Sequence, residues 1–447
     1  MKNLRLLLLF TGLFFNFYFI PAIQNFSSAE QLPKKQNSLI NIPSIDSIVN
    51  NSIDKHIFPG CQVYILQNGV PIYDKSFGYF TYNKKQKVAP NTLYDLASLT
   101  KTTATLLAVM KLYDEGKIQL DDQISKYLPF LKNSDKANIT ITELLFHESG
   151  LPGSMLFYRK TIEKTSGATD SDKDEPRTSL KAYRYKPNAA SKRYSEKYNL
   201  QVSGSLFLPG EFHKTAMQMI ADVKLRPKTY LYSCVNFILL KEIVESVSGE
   251  SLDVFVQKNF YEPMQLCHIG FLPLRKFEKK DIAPTLAKDF LRNDTIQGFV
   301  HDPDAAFLGG ISGNAGLFAS AHDVAWVYQM LLNGGELNGV RYLTKKTCEL
   351  FTTTTSGSGR RGLGFDKPVP SNPRINPCCE LAPVESYGHT GYTGTGCWVD
   401  PINKIVYVFL SNRTYPDDGV NKLARMSIRP KIQEEIYRTS KTLAHNR

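Results

Sequence analysis

Ser98 and Lys101 are the residues whose types and spacing most directly suggest chemistry. They lie three positions apart at the start of a predicted helix, so their side chains should share one helix face. A neutral lysine amine can take the proton of a serine hydroxyl and activate it for attack on a carbonyl carbon. The pair therefore suggests acyl transfer.

The same spacing occurs again at Ser52 and Lys55, so the spacing alone is not specific. That second pair is expected on or near the wet side of an amphipathic helix, whose apolar stripe is Ile45, Ile48, Val49 and Ile53. Ser98 instead opens an apolar helix predicted over residues 102–112, where burial would lower the pKa of Lys101 toward neutrality. The helix N-terminus would also favour negative charge developing on Ser98. A structural serine at a helix start is the alternative.

The chain has 447 residues, of which 42% are hydrophobic and 21% charged, as in globular proteins. Basic residues, an apolar run and small residues before Glu30 predict a signal peptide over residues 1–29 and export to the periplasm or the medium. The same segment could instead stay as an N-terminal membrane anchor. A polar linker over 30–43 and one domain over 44–440 are predicted to follow.

The seven cysteines are scattered and lack the paired spacing of a zinc site. We therefore expect no metal and no cofactor. One or two disulfides could form after export.

Positive charge is concentrated in a predicted insertion over residues 154–230. The chain carries a net charge of +12, and residues 155–230 hold 15 Lys and Arg against 8 Asp and Glu, interleaved with tyrosines. Such a segment could bind an anionic polymer. The alternative, a solvated and partly mobile loop, suits an exported chain better, and we expect no nucleic-acid partner.

The predicted elements that must position Ser98 come from both ends of the chain. Strands flank the hairpin turn Asn68–Gly69, and a core strand over 405–410 precedes a helix over 420–437 that is expected to kink at Pro430. Further helices are predicted over 44–55, 140–146, 236–247, 251–260 and 322–332. This order predicts an α/β (α+β) fold in which both termini form one antiparallel sheet, flanked by helices, around a mostly helical middle region.

Two further clusters accompany Ser98. Tyr232 and Cys234 lie just ahead of the helix predicted from residue 236. His389, Thr390 and Gly391 lie in a glycine-rich segment ahead of the core strand. Repeated glycines suggest a place where another backbone or a substrate approaches closely.

Taken together, the order Ser-x-x-Lys, Tyr-x-x, His-Thr-Gly resembles the serine β-lactamase and penicillin-binding-protein superfamily, in its class C-like branch. That branch includes D-alanyl-D-alanine carboxypeptidases and esterases. The resemblance extends to the segments 144–152, 313–321 and 391–395, which are similar to family segments in the same order.

The resemblance implies a role for each matching residue. Ser98 would be the nucleophile, and Lys101 and Tyr232 would share the proton transfers, with the base left open. The backbone N–H groups of Ser98 and Tyr392 would form the oxyanion hole. The wall that meets the substrate would be formed by His389, Thr390, Gly391 and Cys234.

Two residues depart from the family pattern. Cys234 stands where the family often has asparagine, and it cannot offer a carboxamide to a substrate amide, which argues against efficient β-lactam hydrolysis. His389 replaces a lysine, as in some carboxypeptidases and esterases of the branch, so the charge of the wall is expected to vary with pH near neutrality.

The leading hypothesis is an exported serine hydrolase that forms an acyl-enzyme with a peptidoglycan-type D-Ala peptide or a small ester. A true β-lactamase is one alternative. A non-catalytic protein that senses penicillin or binds the cell wall through the basic insertion is another. The sequence leaves the oligomeric state open.

Overall fold

The computed structural model describes residues 39–164, 183–372 and 375–445. The predicted signal peptide and most of the predicted linker lie outside them. The helices of this part are α1 (Pro43–Asp54), α2 (Leu106–Asp114), α3 (Ile141–Phe146), α4 (Phe212–Asp222), α5 (Cys234–Ser248), α6 (Leu252–Val256), α7 (Pro303–Phe307), α8 (Ala321–Leu332), α9 (Lys345–Thr353), α10 (Lys422–Arg425) and α11 (Ile428–His445). None of these helices is both long enough and apolar enough to cross a bilayer.

The strands include several short pairs besides the main sheet. They are β1 (Gly60–Gln67), β2 (Val70–Gly78), β3 (Tyr94–Asp95), β4 (Ile162–Lys164), β5 (Tyr183–Tyr185), β6 (Leu200–Ser203), β7 (Leu206–Leu208), β8 (Ile269–Phe271), β9 (Leu317–Ala319), β10 (Glu336–Leu337), β11 (Val340–Arg341), β12 (Tyr387–Thr390), β13 (Gly396–Asp400) and β14 (Ile405–Ser411).

The largest sheet within the described residues joins the two ends of the chain. Its strand order is β12-β13-β14-β1-β2, and every neighbouring pair is antiparallel. Asn68 and Gly69 form the turn between β1 and β2, with φ values of 52° and 72° that favour these two residue types. In the centre, Tyr64 of β1 lies opposite Val408 of β14. The predicted α+β fold, with one sheet built from both termini, is confirmed.

Both faces of this sheet are buried. Alternate residues of a strand point to opposite faces, so Val63 and Ile65 pack with the terminal helices α1 and α11. Tyr64 and Leu66 face the larger core, which includes α2, α5 and α8. The sheet therefore separates the terminal helices from the helical middle region.

The predicted helices of the middle region are present, and local signals explain their ends. Thr140 and Glu143 form a capping box at the start of α3, with reciprocal bonds of 2.9 and 3.2 Å. α3 ends at Phe146, and the next residue, His147, adopts a left-handed conformation. α5 begins two residues after Tyr232 and ends at Ser248, followed by the left-handed C-cap Gly249.

The C-terminal helix differs from the prediction. Two helices, α10 and α11, replace the single helix kinked at Pro430, and the break falls at Ser427, whose φ is 50°. Pro430 lies in the first turn of α11, where its missing N–H would have no intrahelical acceptor. The prediction of a helix kink at Pro430 was therefore wrong.

The basic insertion has more structure than a solvated loop. Its described residues include the pairs β4–β5 and β6–β7 and the helix α4. Phe212, Ala216 and Ile220 of α4 are buried, which anchors this part on the core. Residues 165–182 of the predicted insertion lie outside the described part.

All seven cysteines are unpaired. The sequence allowed one or two disulfides, and the structure forms none among them.

Candidate active site

A sharp turn presents Ser98 at the edge of the helical core. β3 ends at Asp95, and Ala97 adopts a φ of 46°, which is uncommon for a residue with a side chain. The Asp95 carboxylate holds this turn, because it accepts the N–H of Ala97 at 2.8 Å and the N–H of His301 at 2.6 Å. Ser98 is half-buried, so its hydroxyl remains within reach of a substrate.

Lys101 is fully buried beside Ser98, in a π-helical turn that leads into α2. Its Nζ atom lies 3.0 Å from Ser98 Oγ, 2.9 Å from the carbonyl oxygen of Asn314 and 3.5 Å from Cys234 Sγ. These three contacts offer acceptors to all three N–H bonds of an ammonium group.

The ionisation of Lys101 differs from the expectation. Burial acts to lower the pKa of Lys101, but Cys234, Tyr232 and Asp302 outweigh it, so the pKa is raised. The prediction that burial brings the pKa of Lys101 toward neutrality was therefore wrong. In the absence of substrate the side chain is an ammonium group.

Tyr232 is brought to this pair by the segment before α5. Its neighbour Leu231 donates to the carbonyl of His147 at 2.9 Å, and Ser233 donates to His147 Nδ1 at 3.0 Å. The rings of His147 and Tyr232 also lie close together, with centroids 4.6 Å apart. The position of Tyr232 is thus fixed on both sides along the chain.

The Tyr232 phenol interacts with both Ser98 and Lys101, and Lys101 Nζ lies 5.2 Å from the centroid of the Tyr232 ring. Burial raises the pKa of Tyr232, whereas the cations of Lys101 and Arg361 act against that rise. The structure therefore brings together the three residues predicted to carry the proton transfers. When the phenol is ionised, its phenolate oxygen can accept the serine proton next to an ammonium group.

Edge strand β12 and the turn after it adjoin the serine turn. Thr393 Oγ1 donates to the carbonyl of Asp95 at 2.7 Å, and Thr395 Oγ1 donates to the carbonyl of Leu96 at 2.8 Å. These bonds fix the backbone of residues 391–395 next to the residues that precede Ser98.

Tyr392, whose N–H was predicted for the oxyanion hole, lies in this turn. Arg413 Nε donates to its carbonyl at 2.8 Å, and its phenol donates to Asp418 at 3.0 Å. Its side chain is 47% exposed, so the aromatic ring lies at the solvent-facing rim of the site.

The residues predicted to meet the substrate differ in their burial. Thr390 and Cys234 are half-buried, whereas His389 is buried and bonds through Nδ1 to the carbonyl of Thr390 at 2.8 Å. Burial lowers the pKa of His389 to about 3, against the opposing effect of Asp366. His389 is therefore neutral near pH 7. The prediction that its charge varies with pH near neutrality was wrong.

Ser52 and Lys55 show what the same spacing does elsewhere. Ser52 is buried, contrary to the expectation of a wet position, and donates to the carbonyl of Ile48 at 2.7 Å. Lys55 is exposed. The Ser52 hydroxyl is therefore used within its own helix.

Sequence reasoning missed two residues beside Tyr232. His147 lies in a segment that carried the family resemblance, but the sequence assigned it no role. Arg361 lies with its Cζ atom 5.0 Å from the centroid of the Tyr232 ring, and no motif marked it. Among the described residues, no three His, Cys, Asp or Glu side chains are grouped to hold a metal ion.

A half-buried serine next to a buried lysine and a tyrosine, on this sheet-and-helix fold, defines the class of the protein as a serine hydrolase. The chain belongs to the beta-lactamase family, because the model of that family matches residues 45–428.

The chain is also similar to individual members of related groups. It is 31% identical over 414 residues to an Escherichia coli (strain K12) protein named "Putative D-alanyl-D-alanine carboxypeptidase", with 86% of each chain covered. It is similar to the solved D-alanine carboxypeptidase AmpC from Burkholderia cenocepacia, with a TM-score of 0.58 at 16% identity over 87% of this chain and 97% of that chain. A penicillin-binding protein homolog from Caulobacter crescentus gives a TM-score of 0.60 at 18% identity over 90% and 98%. At these identities the two solved structures show the shared fold.

Proposed function

We propose that this chain is an exported hydrolase that cleaves a peptidoglycan-type D-Ala peptide or a small ester through an acyl-enzyme on Ser98. The observation that carries the proposal is the 3.0 Å contact between Lys101 Nζ and Ser98 Oγ, with the Tyr232 ring centroid 5.2 Å from Lys101 Nζ. The similarity to a protein named as a carboxypeptidase supports the choice of substrate.

In the proposed reaction, Ser98 Oγ attacks the substrate carbonyl carbon while its proton passes to a neighbouring base. The N–H groups of Ser98 and Tyr392 stabilise the oxyanion. The bond to the leaving group then breaks, and the proton passes to that group. Water attacks the resulting ester, which releases the acid and restores the serine hydroxyl.

Tyr232 is the better candidate for the first proton acceptor. The contacts of Lys101 suit an ammonium group, which has no free electron pair to accept a proton. The ammonium group instead stabilises the phenolate form of Tyr232, which accepts the serine proton. The ammonium group later gives a proton to the leaving group, and the Tyr232 phenol returns a proton to the lysine amine.

The thiol of Cys234 favours a carboxypeptidase or esterase over a β-lactamase. Its Sγ atom lies 3.5 Å from Lys101 Nζ, so the thiol borders the site. A thiol is only a weak hydrogen-bond donor and acceptor, and it cannot replace a carboxamide in binding a substrate amide. Slow or absent turnover of nitrocefin, together with release of D-Ala from a D-Ala-D-Ala peptide, would support this choice. Rapid nitrocefin turnover would assign the β-lactamase function instead.

A fluorescent penicillin tests the acyl-enzyme directly. The purified protein should be labelled with one equivalent, and Ser98→Ala should not be labelled. Ser52→Ala is the matched control, because it removes the serine of the second Ser-x-x-Lys, and it should be labelled like the wild type. Equal labelling of Ser98→Ala and the wild type would refute the proposal.

The proposed export has its own test. The mass of the protein recovered from the periplasm or medium of an expressing bacterium should correspond to a chain that begins at Glu30. An intact N-terminus in the membrane fraction would instead indicate an anchor.

A further inference from the structure

The loop of residues 355–366, here called the Arg361 loop, carries a buried cation to Tyr232. Arg361 is only 2% exposed, and its Nη1 atom lies 2.9 Å from Asp366 Oδ1. Its Nε atom donates to the Tyr230 hydroxyl at 3.4 Å, and its Cζ atom lies 5.0 Å from the Tyr232 ring centroid. A guanidinium at this distance from an aromatic ring is within the range of a cation–π contact.

The Arg361 loop is fixed to the same edge strand that borders the site. Asp366 and Gly388 of β12 exchange backbone hydrogen bonds of 2.7 and 3.1 Å. Phe365 packs on Tyr387 of β12, with ring centroids 5.0 Å apart. Within the loop, Ser356 donates to the carbonyl of Arg361 at 2.7 Å. The loop that carries the guanidinium is thus attached to β12 by backbone hydrogen bonds and a ring contact.

We propose that Arg361 is a positioning residue for Tyr232. It holds the phenol ring beside Ser98 and Lys101, and it stabilises the phenolate form that accepts the serine proton. This inference rests on the proposed hydrolysis. A cation close to a phenol favours the phenolate, and the effect is stronger away from water than at a surface.

Burial and pairing argue against Arg361 as a binding site for a substrate carboxylate. Its charge already faces the buried Asp366, whose pKa Arg361 lowers against the effect of burial. A substrate would have to break this buried ion pair, which is costly.

Several other groups lie next to Tyr232. They are Ser98 and Lys101 from the serine turn, His147 from the end of α3, Cys234 from its own segment, and His389 from β12. The pKa of His147 is lowered well below its usual value, mainly by burial, and that of His389 is lowered to about 3, so both are neutral near pH 7. Lys101 and Arg361 are therefore the cations that act on the phenol.

The test compares Arg361→Met with Arg360→Met. Arg360 also pairs with Asp366, at 3.3 Å, whereas the cations that act on the Tyr232 phenol are Lys101 and Arg361. Two readouts are measured: the ionisation of Tyr232 by NMR of [¹³Cζ]tyrosine, assigned with Tyr232→Phe, and the pH dependence of kcat/KM on a p-nitrophenyl ester.

In Arg361→Met, the midpoint of Tyr232 ionisation and the rising limb of kcat/KM should both move up by about one pH unit. At a pH on that limb the rate should fall about tenfold. Arg361→Lys, which keeps the charge, should recover part of the shift, and Arg360→Met should match the wild type.

Asp366 loses its partner in Arg361→Met, so folding is followed by thermal melting. If that variant does not fold, the double variant Arg361→Met/Asp366→Asn removes both charges, and the midpoint should move in the same direction. Midpoints equal to those of Arg360→Met would overturn the inference. So would a change of KM confined to substrates with a carboxylate, because it would show substrate binding.

Failure of the proposed function gives a different result. A wild type without penicillin labelling or ester hydrolysis would refute the function, even if the NMR midpoint of Tyr232 still depended on Arg361. Normal labelling with an unchanged midpoint in Arg361→Met would refute the inference alone.

Discussion

Gly391 lies directly against the backbone of Leu96. A Cβ atom on Gly391 would lie 2.3 Å from the Leu96 carbonyl oxygen and 2.0 Å from Thr395 Oγ1. Real side chains do not approach backbone so closely, so only glycine fits here. This contact sets the distance between the end of β12 and the turn that presents Ser98.

Gly391→Ala should therefore separate the two segments. We expect a loss of about 1–3 kcal/mol in the free energy of unfolding, as for an overpacked core. We also expect a fall of about 10²-fold in kcat/KM, because the oxyanion donor of Tyr392 moves. Gly357→Ala is the matched control, since a Cβ there meets no atom within 4 Å. Urea unfolding and ester hydrolysis measure both effects, and a fully active Gly391→Ala enzyme would contradict the close approach.

Lys101→Met should lower kcat/KM by about 10²- to 10⁴-fold, because the ammonium group that stabilises the phenolate and protonates the leaving group is lost. Lys55→Met changes the lysine of the second Ser-x-x-Lys and should have no effect on hydrolysis. Steady-state kinetics on one ester substrate, with melting curves to confirm folding, gives the comparison. Similar losses in the two variants would remove Lys101 from the mechanism.

His389 should stay neutral between pH 5.5 and 8. Its pKa is lowered to about 3 by burial, and an imidazole is neutral above its pKa. NMR of the imidazole, assigned by comparison with His389→Gln, should show no titration in this interval. A midpoint near 6.5 would show that the ring is more hydrated than its 2% exposure indicates.

Lys367 should make the stability of the protein depend on pH in the alkaline range. Its amine is 4% exposed and donates to the carbonyls of Thr352 at 2.9 Å and Glu385 at 3.1 Å. Burial lowers its pKa from 10.5 to about 8. Between these values the unfolded chain binds more protons than the native protein, so stability should rise with pH.

Lys367→Met should remove this rise. From pH 7.5 to 10.5, the free energy of unfolding of the wild type should increase by up to about 3 kcal/mol relative to the variant. Urea unfolding at several pH values measures the difference. Lys404→Met, which changes an exposed lysine, serves as the control. A constant difference between wild type and Lys367→Met would show that the amine stays hydrated.

The sequence predicted the strands of the central sheet and several residues of the site, and each prediction has an identifiable physical basis. Alternating apolar residues and the Asn68–Gly69 turn identify β1 and β2 locally. Ser98 and Lys101 are three positions apart, so one helical turn brings them together. Tyr232 and His389 are distant in the chain, and only the family resemblance placed them beside Ser98.

Arg361 and the break at Ser427 could not be predicted in the same way. Arg361 lies in a polar loop with no apolar periodicity, and its burial depends on Asp366 and on the pairing of that residue with β12. At the C-terminus, Pro430 suggested the kink, but the left-handed conformation of Ser427 ends α10. The ionisation of Lys101 depends on how close Cys234 and Tyr232 lie to its amine. Both residues are distant in the chain, so no local sequence pattern predicts these distances.

The pairing of β1 with β14 at the centre of the sheet determines when the chain can complete its folding. Tyr64 and Val408 are neighbours in the sheet, although most of the polypeptide is synthesised between them. A ribosome-bound chain that has not yet reached β14 presents β1 with an unpaired edge, which is a site for aggregation. Such long-range pairing also slows folding. A gene truncated before codon 405 should therefore yield insoluble polypeptide rather than a smaller active enzyme.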